Sequence, residues 1–326
     1  MTTATAEFKV NLPWIESPFF NKELAEAQLD ADTERLVKQY AEQGFVVFDP
    51  QIDEQTLDQV VSDLKAKYVE NGNQRIQDAW LYSEAVKQVA SSPRVLDVLE
   101  TLYRREPIPF QTLNFKLGTQ QKTHSDSIHF NSIPQRFMCG VWVALEDVHD
   151  GNGPLHYYPA SHKMPFYDLI DMGMTGSSDH AITGKIYHQY EEFMQEMITE
   201  RGLKKETLSM KKGQAIIWAA NLLHGGDPIR QAGSTRLSQV THYYFSDCMY
   251  YVPLLSDMSI ERTYFKYITN VATGEKVKGK YLGEHFQEET NGFTRKFYVP
   301  RGLLKTAKSI IPASISRFIF KLMNKS

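Results

Sequence analysis

The sequence predicts a mixed fold that is mainly β, an antiparallel barrel or jelly roll buttressed by N-terminal helices. Three features predict it. Helical periodicity is concentrated in about the first hundred residues; Pro109 to Phe245 is built of short β-rich runs separated by Gly, Asn, Asp and Pro; and no repeat or composition shift marks a linker. One domain over residues 31–300 follows, with a helical layer at about 31–105 and a β core at about 106–250.

Residues 1–30 carry Pro13, Pro18 and the aromatics Trp14, Phe19 and Phe20, which reads as an arm laid on the body without long regular structure. From Asp32 to about Glu42, Leu36, Val37, Tyr40 and Ala41 share one helical face; Gly44 then precedes the run Phe45–Phe48, giving helix, stop and strand. Asp53 is placed to cap a helix through about Tyr68 with Leu57, Val60, Val61 and Leu64 on one face, and Ser92-Pro93 opens another to about Tyr103.

Within the β region the clearest strands are Met138–Leu145 and Ala215–Ala219. Between them lie Gly173–Gly184, rich in Gly and Ser, and a helix expected from Gln189 to Arg201. With Met172, Met174 and Ile182 as apolar contacts, the Gly-rich segment is expected to close as a lid over a ligand. Residues 301–326 carry Arg301, Lys305, Lys308, Arg317, Lys321 and Lys325, no acid, and interleaved Ile310, Ile311, Ile315, Phe318, Ile319 and Leu322. This is the pattern of a basic amphipathic helix, with two readings: attachment to an anionic membrane at its inner surface or to a partner, or docking on its own domain or a dimer mate in a homo-oligomer.

Apolar residues at 42%, charged residues at 23% and a formal net charge of -3 match an ordinary globular protein without the basic face that nucleic acid requires, so DNA and RNA are not expected partners. Cys139 and Cys248 cannot build a disulfide framework, and neither sits in a zinc-type pair. The N-terminus lacks the apolar core of a secretion signal, and no stretch approaches the roughly 18 apolar residues of a membrane span. The expectation is a cytoplasmic protein acting on a small molecule.

Lys122-Thr123-His124-Ser125-Asp126 places an imidazole and a carboxylate two residues apart, so in extended backbone both project from one face. Leu223-His224-Gly225-Gly226 supplies a second histidine beside two glycines, which let backbone approach closely. Two histidines and a carboxylate form a facial triad that leaves three positions open on non-haem iron(II), enough for a bidentate 2-oxo acid and O2. An isolated His-x-Asp is weak, since a buried, satisfied histidine is the commoner fate. Arg236-Leu237-Ser238 strengthens the case, because a strand sends Arg236 and Ser238 to one side with Val240, His242 and Tyr244, and an Arg fork beside a hydroxyl suits a carboxylate.

On these motifs, and on Val141 to Asp147, Gly151-Asn152-Gly153-Pro154-Leu155 and Pro159-Ala160-Ser161-His162-Lys163, the chain resembles the phytanoyl-CoA dioxygenase family from about Gly44 to Phe245. Gln111 to Lys116 and His124-Ser125-Asp126 are also similar to ectoine hydroxylases, a branch of that family in which the positions matching Gln111 and Asn114 face the ligands. The resemblance implies a double-stranded β-helix with Fe(II) on His124, Asp126 and His224 and 2-oxoglutarate anchored by Arg236 and Ser238, its pocket walled by Trp142 and Asn114. One departure is Ala160, where the family usually has glycine. The implied reaction is O2-dependent hydroxylation of a small polar or glycan-linked substrate. Asp126 points to oxygen transfer, since halogenating relatives replace this carboxylate with a small residue.

Other residues divide between functional and packing roles. His129, with Phe130 and Gln111, is expected to face substrate, or else to be a packed or solvated histidine. His162 reads as a structural hydrogen-bonder, His242 as an interior neighbour of the co-substrate, and Trp218 as core. One of Tyr157 and Tyr158 is expected at the barrel mouth. Two rival functions are a metal-dependent isomerase or hydrolase on the same barrel and a catalytically silent binding protein.

Overall fold

The helical layer forms where the periodicity predicts it. The computed structural model describes residues 10–285, apart from 71–73, 178 and 261, together with 293–294. Its helices are α1 (Phe20–Ala27), α2 (Ala31–Gln43), α3 (Glu54–Glu70), α4 (Glu84–Ala90), α5 (Pro93–Tyr103) and α6 (His180–Glu200). Asp30 starts α2 by accepting hydrogen bonds from the Asp32 and Thr33 amides, and Gly44 ends it at φ 81°, a conformation glycine adopts without strain. Asp53 accepts from the Thr56 amide at 2.8 Å at the start of α3, and Pro93 opens α5.

The strands are β1 (Phe45–Phe48), β2 (Arg75–Gln77), β3 (Pro107–Phe115), β4 (Asn131–Ile133), β5 (Met138–Ala144), β6 (Leu155–Tyr157), β7 (Glu206–Leu208), β8 (Ala215–Ala219), β9 (His224–Gly226), β10 (Ser238–Phe245) and β11 (Met249–Tyr251). An antiparallel six-stranded sheet has the order β1-β8-β5-β10-β3-β2; a smaller antiparallel sheet has the order β7-β6-β9; β4 pairs with β11. Strand alternation divides the large sheet into two faces. Cys139, Val141 and Val143 of β5 and Ala215, Ile217 and Ala219 of β8 pack with Val37, Leu64, Val95 and Leu99 of the helices. Trp142, Ala144, Ile216 and Trp218 point the other way and pack with Leu155 and Tyr157 of the small sheet. Helices therefore brace the outer face and free the inner one for a site.

Four expectations need correction. The N-terminal arm is more regular and more integral than expected: it contains a 3-10 turn and α1, its Trp14, Ile15 and Leu24 join the main core, and the Trp14 indole donates to the Thr101 carbonyl at 2.9 Å. Residues Gly173–Gly184 are not a loose lid. A Cβ on Gly176 would lie 2.1 Å from the Ser256 carbonyl oxygen, and the Ser177 amide donates to Leu254 at 3.2 Å, so the loop is seated on the 252–256 backbone. α6 begins at His180 rather than Gln189, capped by Asp179, and takes in Ile182 and Gly184. The strand expected through Leu145 ends at Ala144. The basic tail at 301–326 lies outside the described residues. Among those described, both cysteines are free and buried, and no helix is long and apolar enough to cross a membrane.

Ala160 stands at φ 62°, ψ 2°, the left-handed region, at the entrance to the turn Ser161–Lys163. An L side chain pays roughly 1–2 kcal/mol there, and glycine's extra freedom in the unfolded chain offsets roughly 0.5–1 kcal/mol of the relief. Ala160→Gly is therefore expected to stabilise the fold by about 0.5–1 kcal/mol, read as a small rise in thermal midpoint; a fall would show that the alanine methyl has a packing role.

Candidate active site

His124 and His224 meet through reciprocal backbone hydrogen bonds, His124 N to His224 O at 2.9 Å and His224 N to His124 O at 3.0 Å. Their rings lie 4.6 Å apart between centroids. Asp126 is not on a strand as expected: it begins a 3-10 turn, held by the Ser125 hydroxyl accepting from the Ser127 amide. Ser125 itself is extended (φ -112°, ψ 137°), which keeps the His124 and Asp126 side chains on the same side. The Asp126 carboxylate lies 3.8 Å from both His124 Nε2 and His224 Nε2, and one ligand atom from each of the three falls within 4.8 Å of the others.

The surroundings prepare these atoms for a metal. Each histidine has its Nδ1 2.9 Å from a carbonyl, Lys122 for His124 and Leu222 for His224, so Nδ1 carries the proton and Nε2 keeps its lone pair. Burial, reinforced by His224, pushes His124 well below the usual imidazole range. Burial alone would raise Asp126; His224, His242, His124 and a hydrogen bond from Trp218 hold it low instead, so it is ionised. Two imidazoles that present Nε2 and an ionised carboxylate, all buried, suit a divalent ion such as iron(II).

Trp218 is the residue that reading it as core missed. Its indole donates to Asp126 Oδ2 at 2.8 Å, and its ring stands 4.8 Å from that of His224. A Cβ on Gly140, opposite it on β5, would come within 2.4 Å of the indole. The sequence signal was its parity with Ile216 on an inward strand face. Gln121 was also missed: its amide donates to Tyr187 of α6 at 3.0 Å and stands 3.4 Å from His124 Nε2. α6 further contributes Tyr190, whose hydroxyl accepts from the Ser125 amide at 3.3 Å. The glycines after His224 make room for protein rather than ligand. A Cβ on Gly225 would lie 2.7 Å from Gln121 O and 2.8 Å from His156, whose ring bonds Thr123 at 2.8 Å and Asp227 at 2.9 Å.

The triad opens onto a cavity of about 260 Å³ lined by residues including Trp142, Leu155, Arg236 and Val240. Arg236 is 2% exposed, yet among the described residues no carboxylate pairs with it. One of its terminal nitrogens donates to Gly153 O at 3.1 Å, its Nε has no partner, and burial lowers its pKa to about 10, which leaves it charged at neutral pH. Trp142 Nε1 is likewise buried without an acceptor, with the Arg236 guanidinium 5.4 Å from the Trp142 ring centroid. Two orphaned donors in one cavity wall fit a missing carboxylate. Ser238 shares the inner face, opposite Phe115 and Ala144, but its hydroxyl turns back to Arg236 O at 3.4 Å and does not line the cavity. Asn114 does not wall the pocket. It sits opposite Gln239 in register, and its amide donates to Gln239 at 3.2 Å, on the face that Gln239 turns to the Val86 carbonyl of α4.

At the other end of the cavity stand Gln111, His129 and Phe130. A bulge in β3 pairs His242 with Gln111 and Tyr243 with Pro109, leaving Phe110 as the extra residue. Gln111 Oε1 lies 3.1 Å from His242 Nδ1, while Phe110 stacks 4.2 Å from Tyr244. His242 Nε2 is 3.8 Å from Asp126 Oδ2 and outside the ligand group, as a neighbour rather than a fourth ligand. Burial lowers His129 to about 4, against Asp126 and with Lys266 and Arg75, so it is neutral. Phe130 lies 4.9 Å from the His242 ring. His162 is structural, its Nε2 3.2 Å from the Ala41 carbonyl. Neither tyrosine reaches the cavity: Tyr157 packs 4.2 Å from Phe45, and Tyr158 joins the cluster around α6.

Comparison with known proteins agrees with this site. The family model for phytanoyl-CoA dioxygenase (PhyH) matches residues 40–237, a span that includes all three candidate metal ligands and Arg236. Phytanoyl-CoA dioxygenase domain-containing protein 1 of Danio rerio is 34% identical over 85 residues, 25% of this chain and 29% of that protein. A probable phytanoyl-CoA dioxygenase of Caenorhabditis elegans is 25% identical over 174 residues, 52% of this chain and 49% of that protein. The chain thus spans about half or less of these curated relatives. Among solved structures, the non-heme alpha ketoglutarate dependent epimerase SnoN from nogalamycin biosynthesis shares the fold, with a TM-score of 0.53 at 19% identity over 68% of this chain and 85% of that one. SnoN has also been crystallised with Fe3+, alpha ketoglutarate and nogalamycin RO. With its family match enclosing the buried His-Asp-His group and the arginine across the cavity from it, the chain belongs to the phytanoyl-CoA dioxygenase family.

Proposed function

We propose that this protein is an Fe(II)- and 2-oxoglutarate-dependent dioxygenase that hydroxylates an unactivated C–H bond of a small polar or glycan-linked substrate, with release of succinate and CO2. The supporting observation is one cavity that joins the buried His-Asp-His group to the orphaned donors of Arg236 and Trp142. A hydrolase or isomerase using the triad for zinc has no use for that second feature. We read the two facing sheets as the double-stranded β-helix of such enzymes.

In this reading His124, Asp126 and His224 hold the iron, and Arg236 with Trp142 receives the distal carboxylate of 2-oxoglutarate in a low-dielectric wall. When bound, the iron and 2-oxoglutarate supply O2 activation and C–H oxidation. Trp218 fixes the Asp126 carboxylate, and the Nδ1–carbonyl bonds fix the two imidazoles, so the ligand atoms need no reorganisation to bind. Gln111, His129 and Phe130 face the substrate. SnoN carries out epimerisation on the same fold, so product analysis decides the outcome: hydroxylation places one oxygen of 18O2 in the product, whereas epimerisation inverts a centre and adds none.

Four variants test these roles. Asp126→Ala and His124→Ala each remove one of three protein ligands and are expected to abolish iron retention, measured by metal analysis after gel filtration; a variant that keeps full iron content sinks the triad. Arg236→Leu is expected to retain iron but weaken 2-oxoglutarate by roughly 30-fold or more, the equivalent of about 2–5 kcal/mol for a buried charged contact. An unchanged titration of the anaerobic charge-transfer band would place the anchor elsewhere. Trp218→Phe keeps the ring but removes the hydrogen bond to Asp126, and iron affinity should fall about 10–100-fold, the usual effect of losing a group that orients a ligand.

A further inference from the structure

We infer that the substrate carries an anionic group, a carboxylate or a phosphate, which Lys266, stacked on Phe130 of the cavity wall, and the wall residue Arg75 bind beside His129. Calling this ligand the substrate rests on the oxygenase reading; the anion site itself does not.

Lys266 is the central observation. Its side chain is half-buried, with Nζ 4.3 Å from the Phe130 ring centroid and 4.9 Å from that of Phe110. Among the described residues no carboxylate lies within ion-pair distance of it. Asp78 is the acidic group that acts on it through space, but that carboxylate already accepts from the Thr112 amide at 3.1 Å and the Trp80 indole at 3.3 Å. Burial lowers the amine to about 8. A desolvated cation without a close anion is costly and marks a place where a ligand supplies the missing charge. Arg75 is exposed on the cavity wall, also without an ion pair among the described residues. Both cations act through space on His129, whose neutral ring adds a hydrogen-bond donor.

The co-substrate does not account for this charge. Arg236 and His242 are six residues apart on extended backbone, roughly 20 Å, and Lys266 acts on the His242 end. A 2-oxoglutarate held by Arg236 at one carboxylate and by iron at the other would have no carboxylate left for Lys266. Arg236 on one hand and Lys266 with Arg75 on the other therefore call for two anions.

The test uses the full chain, loaded anaerobically with iron(II) and one equivalent of 2-oxoglutarate, and titrated calorimetrically with methylphosphonate and, separately, acetate. One binding site is expected, with Kd raised at least about tenfold in Lys266→Gln, roughly 1.4 kcal/mol, and largely restored in Lys266→Arg. Arg75→Gln is expected to raise Kd less, because solvent screens an exposed charge. Tighter methylphosphonate binding identifies a phosphate ester, and tighter acetate binding a carboxylate. No binding of either probe at tens of millimolar, or equal affinity in wild type and Lys266→Gln, overturns the inference. Failure of the charge-transfer band to form would overturn the oxygenase reading instead, and the anion titration on the unloaded protein would still decide this site.

Discussion

Two backbone hydrogen bonds between His124 and His224 hold together everything the site does. They join segments far apart in sequence, one on the loop after β3 and one opening β9, and set both imidazoles before any metal is present. Around this clamp every support is a group with a fixed geometry: carbonyls for the two Nδ1 atoms, the Trp218 indole for Asp126, the Tyr190 hydroxyl for the Ser125 amide. Packing reinforces it, because Gly225 and Gly140 admit neighbours that a methyl group would displace. A metal site of this kind is assembled by folding.

Electrostatics divides the cavity into parts. The middle holds the ionised Asp126 among imidazoles that burial keeps neutral, so its net character without metal is negative. Cations stand around it, Arg236 and Arg75 in the cavity wall and Lys266 over the Phe130 ring. A divalent ion in the middle would change the sign there and draw anionic groups towards one centre. The same low-dielectric walls that make these charges costly when alone make them selective when matched.

The sequence displays much of this plan and hides a definable remainder. His124, Asp126 and His224 were legible because metal ligands need particular side chains, and Arg236 because a strand repeats every two residues. The helical layer was legible because Asp53 and Pro93 are local start signals that no tertiary contact overrides, and because Leu36, Val37, Tyr40 and Ala41 repeat at helical spacing. Asn114 was misplaced because the resemblance was carried over against the strand period: Gln111 and Asn114, three residues apart on a regular stretch of strand, face opposite sides. Gly173–Gly184 looked mobile because glycine signals either freedom or close approach, and at Gly176 it is close approach. Lys266 carried no signal at all, since its role depends on which rings fold against it.

The bulge also makes the site unusually sensitive to length. Phe110 is the residue by which β3 exceeds its partner, and its ring and the Gln111 amide both approach His242 from that position. Deleting Phe110 would restore an unbroken ladder while removing the ring that stands 6.1 Å from His242 and 4.2 Å from Tyr244, and so would open the aromatic wall. A change of one residue in length here would therefore reshape this end of the cavity with every metal ligand kept, a route to altered specificity that point substitutions do not offer.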